Sequence, residues 1–188
     1  MRYCAFHRKP FPSHLLQRFE IGLHPETRAA WAFPSDAGDH RGYYAKLNPA
    51  VLSHVQKQDH KRLFRGAARY PKNMNQYLDQ RMMQTLVKQA SLVKYTRTPT
   101  APGDDYQCVL QLKPPPLSSI SAPDITTYAL FTPSWQPLYD ALLAHLGDED
   151  DVPATLGVVK SIDSVPFAVA LFRYQLWLQS LTPSLLKA

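Results

Sequence analysis

Residues 132–177 read TPSWQPLYDALLAHLGDEDDVPATLGVVKSIDSVPFAVALFRYQLW, and the order of elements in this stretch decides the fold. A turn leads to Pro137, which suits the first position of a helix. The apolar face of that helix is Leu138, Ala141 and Leu142, with His145 and Leu146 behind them and Gly147 to end it. Four consecutive acids at 148–151 point in different directions and read as a solvated turn. Two short apolar runs, 154–159 and 166–171, read as buried strands separated by Lys160-Ser-Ile-Asp-Ser. A second helix then opens at Phe172 and reaches about residue 181. On this reading a buried strand runs straight into a helix, whose free N–H groups and dipole favour an anion. Arg173 sits in that first turn and is the candidate phosphate ligand. Asp163, in the turn between the strands, and Asp140, in the first turn of the helix from Pro137, are the candidate carboxylates. A Mg²⁺ ion held by one or two carboxylates and phosphate oxygens asks no more of the protein. The alternative for each is a turn former or a favourable charge at a helix start.

Upstream, 126–131 (TTYALF) is a further strand, preceded by a stiff connector from Pro114-Pro115-Pro116 to about residue 123. Residues 91–96 and 106–113 read as two strands joined by TPTAPGDD. In the second, Cys108, Leu110 and Leu112 alternate with polar neighbours, so Cys108 is expected in the core. A helix capped by Asn73 or Asn75 runs to about Ala90, with Tyr77, Leu78, Arg81, Met82, Thr85 and Leu86 as its stripe. Another starts at Asn48-Pro49, with Val51, Leu52 and Val55 on one face. The segment 35–45 carries turn chemistry, residues 2–6 suit a short strand, and 10–18 a turn entering a short helical piece. Residues 27–31 have helix character confined by Pro25 and Pro34. The expectation is an α/β (α+β) protein forming a single domain over 1–188. Within it, 1–113 is a basic N-terminal elaboration and 124–188 the core, joined by the Pro-rich connector.

The 188 residues are 45% hydrophobic, enough for a real core. No apolar run approaches the roughly 18–20 residues of a membrane span, so membrane insertion is not expected. The N-terminal sequence lacks the apolar region of a secretory signal, and its two cysteines form no CxxC; a cytoplasmic protein with reduced thiols is expected. Residues 1–97 hold 17 Lys+Arg against 6 Asp+Glu, and residues 98–188 hold 4 against 9. A basic half joined to an acidic half points to a polyanion partner for the first. That charge concentrates in 56–72, QKQDHKRLFRGAARYPK. There Lys57, Lys61, Arg62, Arg65, Arg69 and Lys72, with His60, interleave with Phe64 and Tyr70. Flexible cations release counterions from a phosphate backbone, and aromatic rings stack on unpaired bases. The alternative is a solvated basic face with Leu63, Phe64 and Tyr70 turned inward. There is no HExxH, GxSxG, Walker-type loop or spaced Cys/His zinc set.

The order of these elements resembles the ParB/sulfiredoxin fold. The residues that carry the resemblance are Thr132-Pro133-Ser134-Trp135-Gln136-Pro137, the helix ending at Gly147, Val152-Pro153 before a strand, and Phe167–Leu171 entering Phe172-Arg173. It covers roughly residues 126–181. The family's Gly-x-x-Arg glycine is Ala170 here, and the sulfiredoxin cysteine is absent, so peroxiredoxin repair is not expected. Taken whole, the chain is similar to plasmid fertility inhibition proteins. That resemblance implies a bacterial cytoplasmic protein that blocks conjugative or T-DNA transfer through a type IV secretion system, by DNA cleavage tied to ATP. Arg173, Lys160 and Gln136 would then hold ATP, and Asp163 or Asp140 a divalent cation such as Mg²⁺. Arg173, Asp163 and Asp140 would form the catalytic set of a DNase with ATPase activity. The basic 57–72 stretch would track DNA, either the transferred single strand or a relaxase–DNA complex. The alternative is a non-catalytic inhibitor that binds the coupling protein or relaxosome.

Overall fold

Residues 1–36, 42–66, 68–97, 106–114, 126–147 and 152–181 are described by a computed structural model, with the backbone alone for Gln58, Asp59, His60 and Arg62. The chain divides into two units. One comprises Met1–Gln80 with Gln175–Ala188, the other Arg81–Tyr174. Among the described residues, helices and three separate sheets of two, three and four strands make this an α+β protein.

In the first unit β1 (Arg2–Cys4) and β2 (Lys9–Phe11) form an antiparallel hairpin. Its turn holds His7 Nδ1 3.3 Å from the buried Cys4 Sγ. Burial, then the charges of Lys46 and Lys9, lowers the His7 pKa below its ordinary value. The three-stranded sheet has β3 (Leu16–Leu23) at its centre, antiparallel to β4 (Ala30–Ser35) and to β5 (Tyr43–Lys46). One face carries the buried Phe19, Ala32 and Ala45. Asn48 caps α1 (Pro49–His54), its side chain accepting from Ala50 and Val51 N–H. The helix continues through a π-helical segment, Val55–Asp59, into α2 (His60–Leu63). It closes where Gly66 N–H donates to Lys61 O, the six-to-one bond of a Schellman ending. Phe64 and Tyr70 then pack on the sheet. Phe64 lies 6.0 Å from Phe19 and 5.4 Å from Tyr43 between ring centroids, and Tyr70 lies 5.9 Å from Phe19. The backbone of Arg69 pairs with the edge of β4, donating to Ala30 O and accepting from Ala32 N–H. The unit also holds the first turns of α3 (Met74–Ala90), where Asp79 accepts from the indole of the buried Trp177.

This three-stranded sheet was not expected from the sequence. Residues 27–31 form no helix, because Ala30–Ser35 is a strand, and β4 tolerates Pro34 as the sheet's edge strand. Of the proposed helical piece at 10–18, only a 3₁₀ turn at Ser13–Leu15 is present. Within the expected turn at 35–45, residues 37–41 lie outside the described residues.

The second unit has a four-stranded sheet in the order β6 (Tyr95–Thr96), β9 (Thr155–Val159), β7 (Tyr106–Gln111), β8 (Thr127–Ala129). β7 and β8 are parallel and the other pairs antiparallel. Since β7 precedes the Pro-rich connector and β8 follows it, the connector does not separate the units; residues 115–125 themselves lie outside the described residues. The loop 98–105 and the acidic run 148–151 also lie outside them. Cys108 is buried in β7, and burial pushes its thiol up to about 12, which leaves it an inert core residue. α4 (Gln136–Leu146) ends as expected at Gly147, whose φ of 74° suits glycine and whose N–H reaches Leu143 O.

The largest correction concerns 166–171, which is helix rather than strand: α5 spans Ser164–Leu181. Its buried residues, Ser164, Phe167, Leu171, Tyr174 and Trp177, recur at three- and four-residue spacing. A short continuous apolar run such as PFAVAL carries no period by itself, which is why it reads equally as a buried strand. Pro166 is compatible because it falls in the first turn.

The aromatic cluster on β3 yields a test. The Tyr70 hydroxyl is buried with no hydrogen-bond partner among the described residues, and burial holds its pKa well above the ordinary value. Tyr70→Phe is therefore expected to leave the urea midpoint unchanged or raise it, while Tyr70→Ala lowers stability by about 3 kcal/mol. A lower midpoint for the phenylalanine variant would show that the hydroxyl is bonded.

Candidate nucleic-acid interface and anion site

Lys57, Lys61, Arg65, Arg69 and Lys72 are all exposed, whereas the side chain of Arg62 lies outside the described residues. The two aromatics between them are core: Phe64 is 0% and Tyr70 9% exposed. The cations thus line the outside of a segment whose inside is nailed to the sheet by Leu63, Phe64 and Tyr70. The expected stacking of Phe64 and Tyr70 on bases does not survive this burial. The phosphate-contacting half of that expectation is compatible with it.

Backbone strain marks one residue of this segment. Among the described residues the non-glycine positions with positive φ are Arg8 (54°), Arg28 (54°) and Arg65 (53°), all exposed arginines of the first unit. Arg65 occupies the position after the α2 helix end that glycine usually fills, at a cost of about 1 kcal/mol. A strained residue kept at a surface position is a pointer to function.

At the start of α5, Ser161 and Ser164 form a reciprocal capping box. Ser161 Oγ accepts from Ser164 N–H at 3.1 Å, and Ser164 Oγ accepts from Ser161 N–H at 3.0 Å. The true junction of a strand with a helix is therefore β9 into α5, flanked by the exposed Lys160 and Asp163. Asp163 already supplies the negative charge that a helix start favours. Arg173 is the tenth residue of α5, in its interior, so its main-chain N–H belongs to the helix and only the half-buried side chain can meet a ligand. Sequence reasoning missed the cap because it read Lys160-Ser-Ile-Asp-Ser as a strand-to-strand turn; Ser-x-x-Ser ahead of an apolar run is the signal that was there.

Gln136 and Asp140 are brought together at the start of α4, where Gln136 Nε2 donates to Asp140 Oδ1 at 2.7 Å. Because α4 opens at Gln136, Asp140 lies in its second turn rather than its first. Tyr174 OH donates to Ser134 O at 3.2 Å and its ring lies 4.9 Å from that of Trp135, so the Arg173 level of α5 meets the start of α4. Asp163 is ten residues back along α5, roughly 15 Å by helical rise. Of the candidate residues, Gln136 and Asp140 are thus joined at the start of α4, Lys160 and Asp163 flank the start of α5, and Arg173 lies in the interior of α5. Among the described residues no group of three or more His, Cys, Asp and Glu is arranged to hold a metal ion. The buried Arg18, whose Nη1 donates to Glu20 and to Ser35 Oγ, is a further charged cluster that the sequence did not disclose.

Four side chains on α5 and its first turn, Ile162, Val165, Val169 and Phe172, are exposed at spacings of three and four, with Ile162 90% exposed. No helix among the described residues is long and apolar enough to cross a membrane. Comparison with family models, curated proteins and solved structures gave no match.

Arg65 provides the test of the interface. Arg65→Gly relieves the left-handed strain and is expected to raise stability by about 1 kcal/mol. The same change should weaken DNA binding about two- to tenfold through loss of one phosphate contact. Denaturant melts and anisotropy titrations of one preparation check both, and a variant that gains stability at unchanged affinity removes Arg65 from the interface.

Proposed function

We propose that the protein is a plasmid-encoded fertility inhibition factor that engages DNA and blocks its conjugative or T-DNA transfer through a type IV secretion system. The observation that carries the DNA part is the row of exposed cations between Lys57 and Lys72, borne on a segment anchored by its own buried aromatics. The transfer part rests on the order of motifs between Thr132 and Arg173. In this reading the inhibition proceeds by ATP-linked DNA cleavage. Arg173, with Gln136, and Lys160 would contact the phosphates of ATP, and Asp140 or Asp163 a Mg²⁺ ion, which would supply charge neutralisation at a transferring phosphate. The protein's own contribution is to hold the DNA backbone and to keep Asp140 oriented through Gln136.

The second reading is a non-catalytic inhibitor that binds the coupling protein or relaxase. It is favoured by the exposed apolar row on α5, which suits a protein surface better than a nucleotide. Incubation of labelled linear DNA with the protein and Mg²⁺, with and without ATP, separates the two. The enzyme reading expects cleavage that is lost in Arg173→Ala while DNA binding persists. Intact DNA under every metal and nucleotide condition, with transfer still inhibited in cells, leaves the contact inhibitor. Replacing Lys57, Lys61, Arg65, Arg69 and Lys72 by alanine together should abolish DNA binding in either case.

A further inference from the structure

The geometry points to duplex DNA, rather than the transferred single strand, as the form that the 57–72 surface binds. This inference rests on the DNA reading above and goes beyond it by choosing between the two forms. Proteins that hold single strands without sequence preference combine a basic track with exposed rings, and each base stacked on a ring contributes about 1–3 kcal/mol. In this segment both rings are spent elsewhere. Phe64 and Tyr70 stack on each other with centroids 6.0 Å apart and interplanar angle 22°, and both lie against Phe19. Neither can leave without opening the core of the first unit.

What remains outside is a set of cations without a stacking platform. Their backbone is held in place: the Lys61 carbonyl is closed by Gly66 N–H, and Arg69 is tied to Ala30 and Ala32 along the edge of β4. A duplex presents its phosphates at regular spacing and at twice the linear charge density of one strand, which is what a set of cations on a held backbone, with no ring among them to stack a base, is best suited to meet. A flexible single strand has to be ordered on binding, and with no rings to stack on it recovers little of that cost. The nearest exposed ring in sequence is Tyr77, 46% exposed, five residues beyond Lys72 in α3. Phe33, 41% exposed on β4 two residues from Trp31, the bridge partner of Arg69, is the other ring that a single-strand mode could recruit.

The test is an anisotropy titration of the full chain with a labelled duplex and with either of its strands, at several salt concentrations. The duplex is expected to bind more tightly by about tenfold, the value of one missing stacked base. With all five described cations engaged, log K for the duplex should fall against log salt with slope about −4.5, and each Lys→Ala change at 57, 61 or 72 should reduce that slope by about 1. Tyr77→Ala and Phe33→Ala should each leave both affinities unchanged. Equal or tighter binding of the single strand overturns the inference while the DNA reading stands, and loss of that binding in either variant would identify the ring responsible. Failure to bind either form, or binding that is insensitive to salt, overturns the DNA reading itself.

Discussion

The packing of the stacked pair Phe64 and Tyr70 against Phe19, the first edge-on and the second tilted, is the constraint on which the first unit depends. Burying each ring contributes about 1.5–3 kcal/mol, with about 0.5–1.5 kcal/mol more for each well-placed ring pair. Individual exposed cations contribute far less to stability, so the core decides where the segment lies and the cations take the side that is left. A helix carrying Leu63 inward, a Schellman turn at Arg65 and Gly66, and a single backbone pairing at Arg69 bring the two rings to the same face of one sheet. The basic surface is thus a consequence of packing, on a backbone held by the core beneath it.

In the second unit the corresponding constraint is the capping box of Ser161 and Ser164. It starts α5 directly after β9 and so makes 166–171 helical, which removes the strand from which Arg173 was to take its place at a helix start. Lys160 and Asp163 inherit that place. Arg173 instead sits at the level of the α4 start through the bond of Tyr174 to Ser134.

The sequence was most informative where pattern and packing agree. β7 alternates cleanly, α4 has its proline and glycine ends, and α1 has an asparagine cap followed by proline, so each was legible within a residue or two. The strand β3 was not, because Leu16, Gln17, Arg18 and Phe19 are all buried and a strand covered on both faces loses its alternation. β4 was disguised by Pro34, which only an edge strand accommodates. For the candidate site, the cations could be named from composition, whereas the direction of Phe64 and Tyr70 could not: interleaving along the chain does not say which residues turn inward until the helix end at Gly66 is known. The pairing of Gln136 with Asp140 follows from a four-residue spacing on a helix and was available in advance.

The most direct measurement of the central claim is a lysine acylation footprint, read by peptide mass, of the full chain alone and with saturating duplex DNA. Lys57, Lys61 and Lys72 are expected to be protected by DNA, while the exposed Lys160 of the second unit continues to react. Equal labelling of Lys57, Lys61 and Lys72 with and without DNA would contradict the account.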